Sequence, residues 1–231
     1  MKIAVIIPAL NEEATLAKTL SHVTPLGLDE IIVVDGGSQD QTPAIAESYF
    51  QTHTHITGHI ISAPRGRARQ MNAGGWMAQS DILVFLHADT LLPKDARRAI
   101  EHALEQHYIG GRFDVRFEPD RGYGWLISRM MNWRSRWSGI CTGDQAIFVR
   151  KPIFRQLNGF SDIPLMEDID FSYRAKRLGA IAPLREKVTT SFRRWEQNGP
   201  LRTIVHMWTL RFLYWLGISP HTLQQFYGAV R

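Results

Sequence analysis

Two acidic segments and three polar turns carry the side chains able to do chemistry. His87-Ala88-Asp89 directly follows the apolar run 82–86. A carboxylate just beyond the carboxyl end of a buried strand stands where open α/β sheets bind ligands. Oxygen ligands suit Mg²⁺ or Mn²⁺, and such an ion commonly bridges a protein carboxylate to substrate phosphates. A plain strand end, with Asp89 turning the chain toward Pro93, explains the same residues. Further along, Glu167-Asp168-Ile169-Asp170 places three acids in four residues at a helix start. One or two acids would satisfy the positive end of a helix dipole. Three crowd each other, and crowding raises the pKa of at least one member, which a general base near neutral pH requires.

The remaining segments suit a nucleotide. Pro8-Ala9-Leu10-Asn11-Glu12-Glu13 leaves the first expected strand for a helix, a junction that gathers free backbone N–H groups. Taken alone, it reads best as Asn11 capping that helix with acidic support. Asp35-Gly36-Gly37-Ser38 follows the second strand; its glycines let backbone approach a ligand, and Asp35 can accept from a ribose hydroxyl or a base N–H. Gly66 to Gly74 opens a helix with Arg67, Arg69 and Asn72, forked donors able to reach phosphates or a nucleobase edge, or simply to face solvent. Neither G-x-G-x-x-G nor a Walker-type Gly-Lys-Ser/Thr occurs.

These segments need elements to position them. Apolar patterning predicts strands at 2–7, 30–34, 56–61 and 82–86, alternating with helices from Asn11, at 42 onward, at 66–78 and at 93–106. That alternation implies parallel βαβ units. Residues 111–117 alternate and predict a half-buried, antiparallel strand. A basic, aromatic helix at 122–137, a strand at 146–149, a helix at 167–178, a strand at 181–188 and a long apolar helix at 200–216 follow, with a short helix after Pro220. The fold class is α/β, with a mostly parallel central sheet flanked by helices. The division expected is one domain over residues 1–190 and a helical basic/aromatic extension over 191–231 packed on it.

The 231 residues suffice for one large core. The single Cys141 excludes an intrachain disulfide framework and fits a reducing compartment. With no secretory signal and no apolar run long enough to span a bilayer, the expectation is a cytoplasmic protein. Residues 1–184 carry 20 basic and 20 acidic side chains, and 185–231 carry 7 and 2, so the tail holds the whole net charge of +5. Six of the seven tryptophans lie from Trp125 onward. Such a portion suits an anionic membrane surface or a phosphate-bearing substrate. The helix at 200–216 either packs on the domain or lies on a membrane interface, and packing is the ordinary outcome. No nucleic-acid module is present.

Taken together, the Pro8 segment, Asp35-Gly36-Gly37-Ser38 with Asp40 and Thr42, the Gly66 to Gly74 stretch, His87-Ala88-Asp89 and Glu167-Asp168 resemble, in order and spacing, family 2 glycosyltransferases with the GT-A fold. The short form with His-Ala-Asp is similar to a small bacterial subgroup described as radical-SAM- or selenodomain-associated transferases. The resemblance implies an inverting, metal-dependent sugar transfer of hexosyltransferase type, from a nucleoside diphosphate sugar to an acceptor hydroxyl, with Mg²⁺ or Mn²⁺ as cofactor. It assigns Pro8, Ala9, Asn11, Glu12, Asp35, Arg67, Arg69, Asn72 and Ala88 to the nucleotide sugar. Asp89 matches the last acid of the family's D-x-D metal motif, and His87 replaces its first. Asp168 matches the catalytic base, with Glu167 beside it. Asp144, Arg194 and Trp195 go to the acceptor and diphosphate side. Ser191 to Trp195 resembles the Q-x-x-R-W element of processive members, with Ser191 in place of Gln. A lipid-linked acceptor and peripheral contact with an anionic membrane at its inner face fit the tail. Two other readings share these features: a nucleotidyltransferase, against which Asn11-Glu12-Glu13 would repel a triphosphate, and a non-catalytic module binding nucleotide sugar or a membrane surface, which His87 favours.

Overall fold

The computed structural model describes residues 1–192, 195–196 and 199–227. The strands are β1 (Ile3–Ala9), β2 (Glu30–Asp35), β3 (Thr57–Ser62), β4 (Ile82–Phe85), β5 (Thr90–Leu91), β6 (Gly110–Glu118), β7 (Ile147–Arg150) and β8 (Ile181–Ser191). They form one mixed sheet in the order β3-β2-β1-β4-β7-β6-β8-β5. β1 to β4 are parallel, β7 runs antiparallel to both β4 and β6, and β8 is parallel to β6.

Helices cover both faces. They are α1 (Leu16–Val23), α2 (Thr42–Thr52), α3 (Arg67–Met77), α4 (Ala96–Glu105), α5 (Gly122–Ser138), α6 (Lys151–Gln156), α7 (Glu167–Lys176), α8 (Pro200–Trp215) and α9 (Pro220–Tyr227). Successive β1 side chains alternate between two cores. Ile3, Val5 and Ile7 pack with α1 and α4, and Ala4 and Ile6 pack with α3 and α6. Burying each large aliphatic side chain contributes about 1.5–3 kcal/mol. Close packing of α3 on β1 requires Gly74, where a Cβ would lie 2.5 Å from the Ile6 side chain.

Three expectations need correction. Asn11 does not cap α1; it sits in a left-handed turn at φ 55, and the helix begins at Leu16, whose N–H donates to the Glu12 carbonyl. The first turn of α1 therefore holds no acid. The strand expected to be half-buried is buried through Val115, because Arg112 and Asp114 enter the core as an ion pair that Arg136 also joins. Mutual pairing lets two charges occupy positions that alternation assigns to solvent. β6 is also only partly antiparallel, since its β8 partner runs with it. The short β5 and α6 had no clear sequence signal.

α8 and α9 pack on the domain through Leu210 and Leu223, which join Ile140, Leu165, Met166 and Ile169. Ile204 of α8 meets Ile127 and Met131 of α5, together with Phe117, Phe192 and Trp195. No helix among the described residues is long and apolar enough to cross a membrane.

Candidate active site

The carboxyl ends of β1, β2 and β4 open on one edge of the sheet, and their loops are laced together there. The Asn11 N–H donates to Ser38 Oγ at 2.9 Å, and Asn11 Oδ1 accepts from the Gln39 N–H at 2.9 Å. The Glu12 N–H donates to Thr42 Oγ1 at 2.7 Å. Pro8 is half-buried and Ala9 buried at the end of β1. The buried Asp35 accepts from the Gly37 and Ser38 N–H groups, which fixes the glycine turn. Gln70, which the sequence did not single out, ties this frame together. Its buried amide donates to the Ala9 carbonyl at 2.8 Å and the Val34 carbonyl at 2.9 Å, closing the ends of β1 and β2 beneath α3. Only tertiary structure supplies that role, because the two acceptors lie 61 and 36 residues away.

α3 distributes its three expected ligand residues differently. Arg67 reaches into the crevice, its guanidinium 3.5 Å from Glu167 Oε1. Arg69 lies on the surface, held by Asp162 at 2.8 Å. Asn72 spends both ends of its amide on the Phe160 backbone, at 2.8 Å each. It pins the loop before α7, and that geometry commits the atoms the sequence reading offered to a ligand.

β4 ends in the segment that carries the expected metal residues. Ala88 is buried, and its carbonyl accepts from Thr19 Oγ1 at 2.7 Å. Asp89 is half-buried, with Oδ1 3.3 Å from Thr90 Oγ1. His87 turns toward the 3-10 turn Gly143–Gln145, its Nδ1 3.3 Å from Asp144 Oδ1. Its Nε2 is buried without a hydrogen-bond partner and lies against Gly143, where a Cβ would come within 2.6 Å. Through Nδ1 the ring clasps the turn that carries Asp144. No group of three His, Cys, Asp or Glu among the described residues is placed to hold a metal ion. The donors present fit an ion held through the Asp89 carboxylate that completes its shell from substrate oxygens.

The clasped turn meets the acidic helix start. The Gly143 N–H donates to Asp168 Oδ2 at 2.7 Å, and the Ile169 N–H donates to Asp168 Oδ1 at 2.7 Å. Burial, and then the charge of Glu167, push the Asp168 carboxyl up to about 6; the Gly143 N–H, Arg67 and the Ile169 N–H oppose the rise. Glu167 is buried against Arg67. Asp170 points elsewhere, to Ser161 and Arg174. The helix start is held in place by Met166 in a left-handed conformation at φ 68, which a non-glycine residue adopts at a cost of about 1–3 kcal/mol. Its buried side chain helps offset that cost.

One further cation belongs here. Arg134, on α5, has a buried Nη2 without a hydrogen-bond partner. Burial lowers its pKa, and Asp168 supplies the largest opposing attraction, with Asp144 also contributing. In sequence Arg134 is one of several basic residues of the helix at 122–137, which could continue a surface or line an acceptor groove; the packing of α5 turns it inward. Trp195 stacks on Phe192 and meets the edge of Phe117, so the tail uses it for packing. Arg194 lies outside the described residues.

The Glycosyl transferase family 2 profile matches residues 4–156. The chain belongs to this family. It is 27% identical over 198 residues to the probable glycosyltransferase YdaM of Bacillus subtilis, covering 77% of this chain and 47% of the relative. An undecaprenyl-phosphate 4-deoxy-4-formamido-L-arabinose transferase of Aeromonas hydrophila is 30% identical over 137 residues, covering 56% of this chain and 42% of the relative. The chain therefore spans less than half the length of either relative. Among solved structures, S. aureus TarS 1-349 superposes with a TM-score of 0.65 at 19% identity, covering 84% of this chain and 61% of that one; TarS is also known with UDP-GlcNAc. The mannosyltransferase PcManGT from Pyrobaculum calidifontis, in complex with GDP-Man and Mn²⁺, superposes at 0.59 with 20% identity, covering 81% and 56%. The fold is that of GT-A glycosyltransferases.

Proposed function

We propose that the crevice transfers a glycosyl group from a nucleoside diphosphate sugar to an acceptor hydroxyl, with inversion, and with Asp168 as general base. The observation that carries this reading is the state of Asp168. It is held by two backbone N–H groups at the sheet edge and raised to about 6. Such a carboxylate is ionised at pH 7 yet basic enough to take a proton from an attacking hydroxyl. Nucleotide sugars bound by structural neighbours support the donor class.

Each residue then has a physical task. The laced loops after β1 and β2, with Asp35, frame the nucleoside. Arg67 balances Glu167 while facing the departing diphosphate. Arg134 is a further anion-binding donor near the base; its orphaned buried Nη2 gains much from a phosphate oxygen. Asp89 is the carboxylate that would hold Mg²⁺ or Mn²⁺, an ion that when bound neutralises charge on the diphosphate. Mn²⁺ in the structural neighbour supports that assignment. Asp168 removes the acceptor proton as the hydroxyl attacks the face opposite the leaving group. The acceptor class that best suits the basic tail is a lipid-linked one, and the undecaprenyl-phosphate relative supports it.

The test incubates the protein with a panel of nucleoside diphosphate sugars and Mn²⁺ or Mg²⁺, and measures released nucleoside diphosphate. Metal-dependent release that Asp89→Ala and Asp168→Ala each abolish is expected. Donor binding without turnover, with candidate acceptors supplied, would instead make the protein a binding module.

A further inference from the structure

α5 and α8 each carry a large apolar stripe on the face turned away from the domain. α5 lays Gly124, Ile127, Ser128, Asn132 and Ser135 against the domain, a face with only one buried apolar side chain larger than alanine. Asn132 fixes that face, accepting from the Val115 N–H at 2.8 Å and donating to the Val115 carbonyl at 2.9 Å. The opposite face presents Leu126, Met130, Trp133 and Trp137, exposed by 44%, 37%, 68% and 80%. Trp133 and Trp137 stack on one another in parallel, 6.3 Å between centroids. α8 repeats the pattern with Leu201, Val205, Trp208, Phe212 and Trp215, each more than half exposed. Steps of four and three residues place each set on a single stripe. Soluble helices put such a stripe inward, and paired outward stripes on adjoining helices mark a surface that something covers.

The charge says what covers it. Residues 122–138 and 200–227 contain no Asp or Glu, and of their five arginines Arg134 turns inward and Arg136 pairs with Asp114, which leaves Arg129, Arg202 and Arg211 for the outer side. Arg129, exposed, lies over the Trp125 ring at 4.9 Å, and Arg202 is exposed at the start of α8. A second copy of this face would bring like charges together. A basic, acid-free surface rich in tryptophan instead matches the headgroup region of an anionic bilayer, where indole rings are favoured and arginines meet phosphates. We propose that the outward stripes of α5 and α8 seat the protein on an anionic membrane surface. Their aromatic side chains enter the headgroup boundary, and Arg129 and Arg202 contact lipid phosphates. This docking does not depend on the transfer chemistry.

The full chain is mixed with vesicles of phosphatidylcholine alone or with phosphatidylglycerol, and followed by co-sedimentation and tryptophan emission. Binding to the anionic vesicles only, with a blue shift, is expected. Trp137→Glu/Trp215→Glu should lower that partitioning at least about tenfold while leaving the thermal midpoint unchanged, because both side chains are largely in solvent. Arg129→Ala and Arg202→Ala should each lower it about fivefold and make it less sensitive to salt. These two provide the decisive comparison should the tryptophan double variant fold poorly. Absence of binding to anionic vesicles, or equal binding to both kinds, overturns the proposal. So does a dimer in sedimentation equilibrium that the tryptophan substitutions dissociate while vesicles remain unbound; that result assigns the stripes to a second copy.

Discussion

Asp168→Asn preserves the volume of the side chain and removes the group that takes the proton. Loss of a general base costs about 10²–10⁴ in rate. The pH profile supplies a second number. With the carboxyl at about 6, roughly nine-tenths is ionised at pH 7 and roughly one-tenth at pH 5, so wild-type kcat/KM should fall about tenfold across that window. The residual activity of Asp168→Asn should be flat there. Stability moves as well. The folded carboxyl binds its proton more tightly than the ordinary value of 3.8, so its contribution is fully present below 3.8 and is lost as pH rises through 6. That loss is on the order of 3 kcal/mol. Asn escapes it, but its single oxygen cannot serve both the Gly143 and Ile169 N–H groups, which costs about 1–3 kcal/mol. The variant should therefore melt below wild type at pH 4 and close to it at pH 7. Nucleoside diphosphate release and thermal unfolding at matched pH read both effects. A folded Asp168→Asn enzyme that keeps more than about a tenth of wild-type activity, or a wild-type profile flat from pH 5 to 7, would refute the assignment of the base.

Three other substitutions separate the parts of the site. Asp89→Ala should abolish Mn²⁺-stimulated turnover and weaken Mn²⁺ binding in the presence of nucleoside diphosphate by at least about tenfold, read by calorimetry; unchanged metal affinity would place the ion elsewhere. Gly143→Ala should drive a methyl group into His87 and shift the N–H that holds Asp168, lowering kcat about 10²-fold with little change in donor affinity. Arg134→Met should raise the thermal midpoint, since a half-buried guanidinium with one orphaned Nη2 is replaced by an apolar side chain, while lowering kcat about 10²-fold. A loss of stability in Arg134→Met would show that the arginine is a structural support.

The sequence was most legible where one physical signal dominated. β1, β2 and β4 are continuous apolar runs because both faces are buried, and the polar segments at their ends supply the proposed site. Thr42-Pro43 correctly marked the start of α2. The Asn11 segment misled because a helix cap and a left-handed turn favour the same residue type, and only the lacing to Ser38, Gln39 and Thr42 distinguishes them. Arg112 and Asp114 read as solvent-facing because alternation cannot see two charges cancelling inside a core. His87 was legible as a departure from the family pattern, but not as a clasp, because its partner Asp144 arrives 57 residues later. Arg134 and Gln70 carry no local signature at all, and their roles exist only once α5 and α3 are docked.

The reversed direction of β7 within the sheet has a consequence for how the protein can be rebuilt. Ile147, at the start of β7, pairs with Phe85 at the end of β4, so reversing that strand brings its lead-in, Gly143–Gln145, to the same rim as the loops that leave β1, β2 and β4. The proposed working groups, contributed before a strand and after a strand, thus converge on one edge. The opposite edge, where β7 passes through Arg150 into Lys151 and where β1, β2 and β4 begin, carries none of the proposed chemistry. Inserted domains, new chain ends or fused reporters belong at exposed turns on that edge, and insertions of equal length at the rim should abolish turnover.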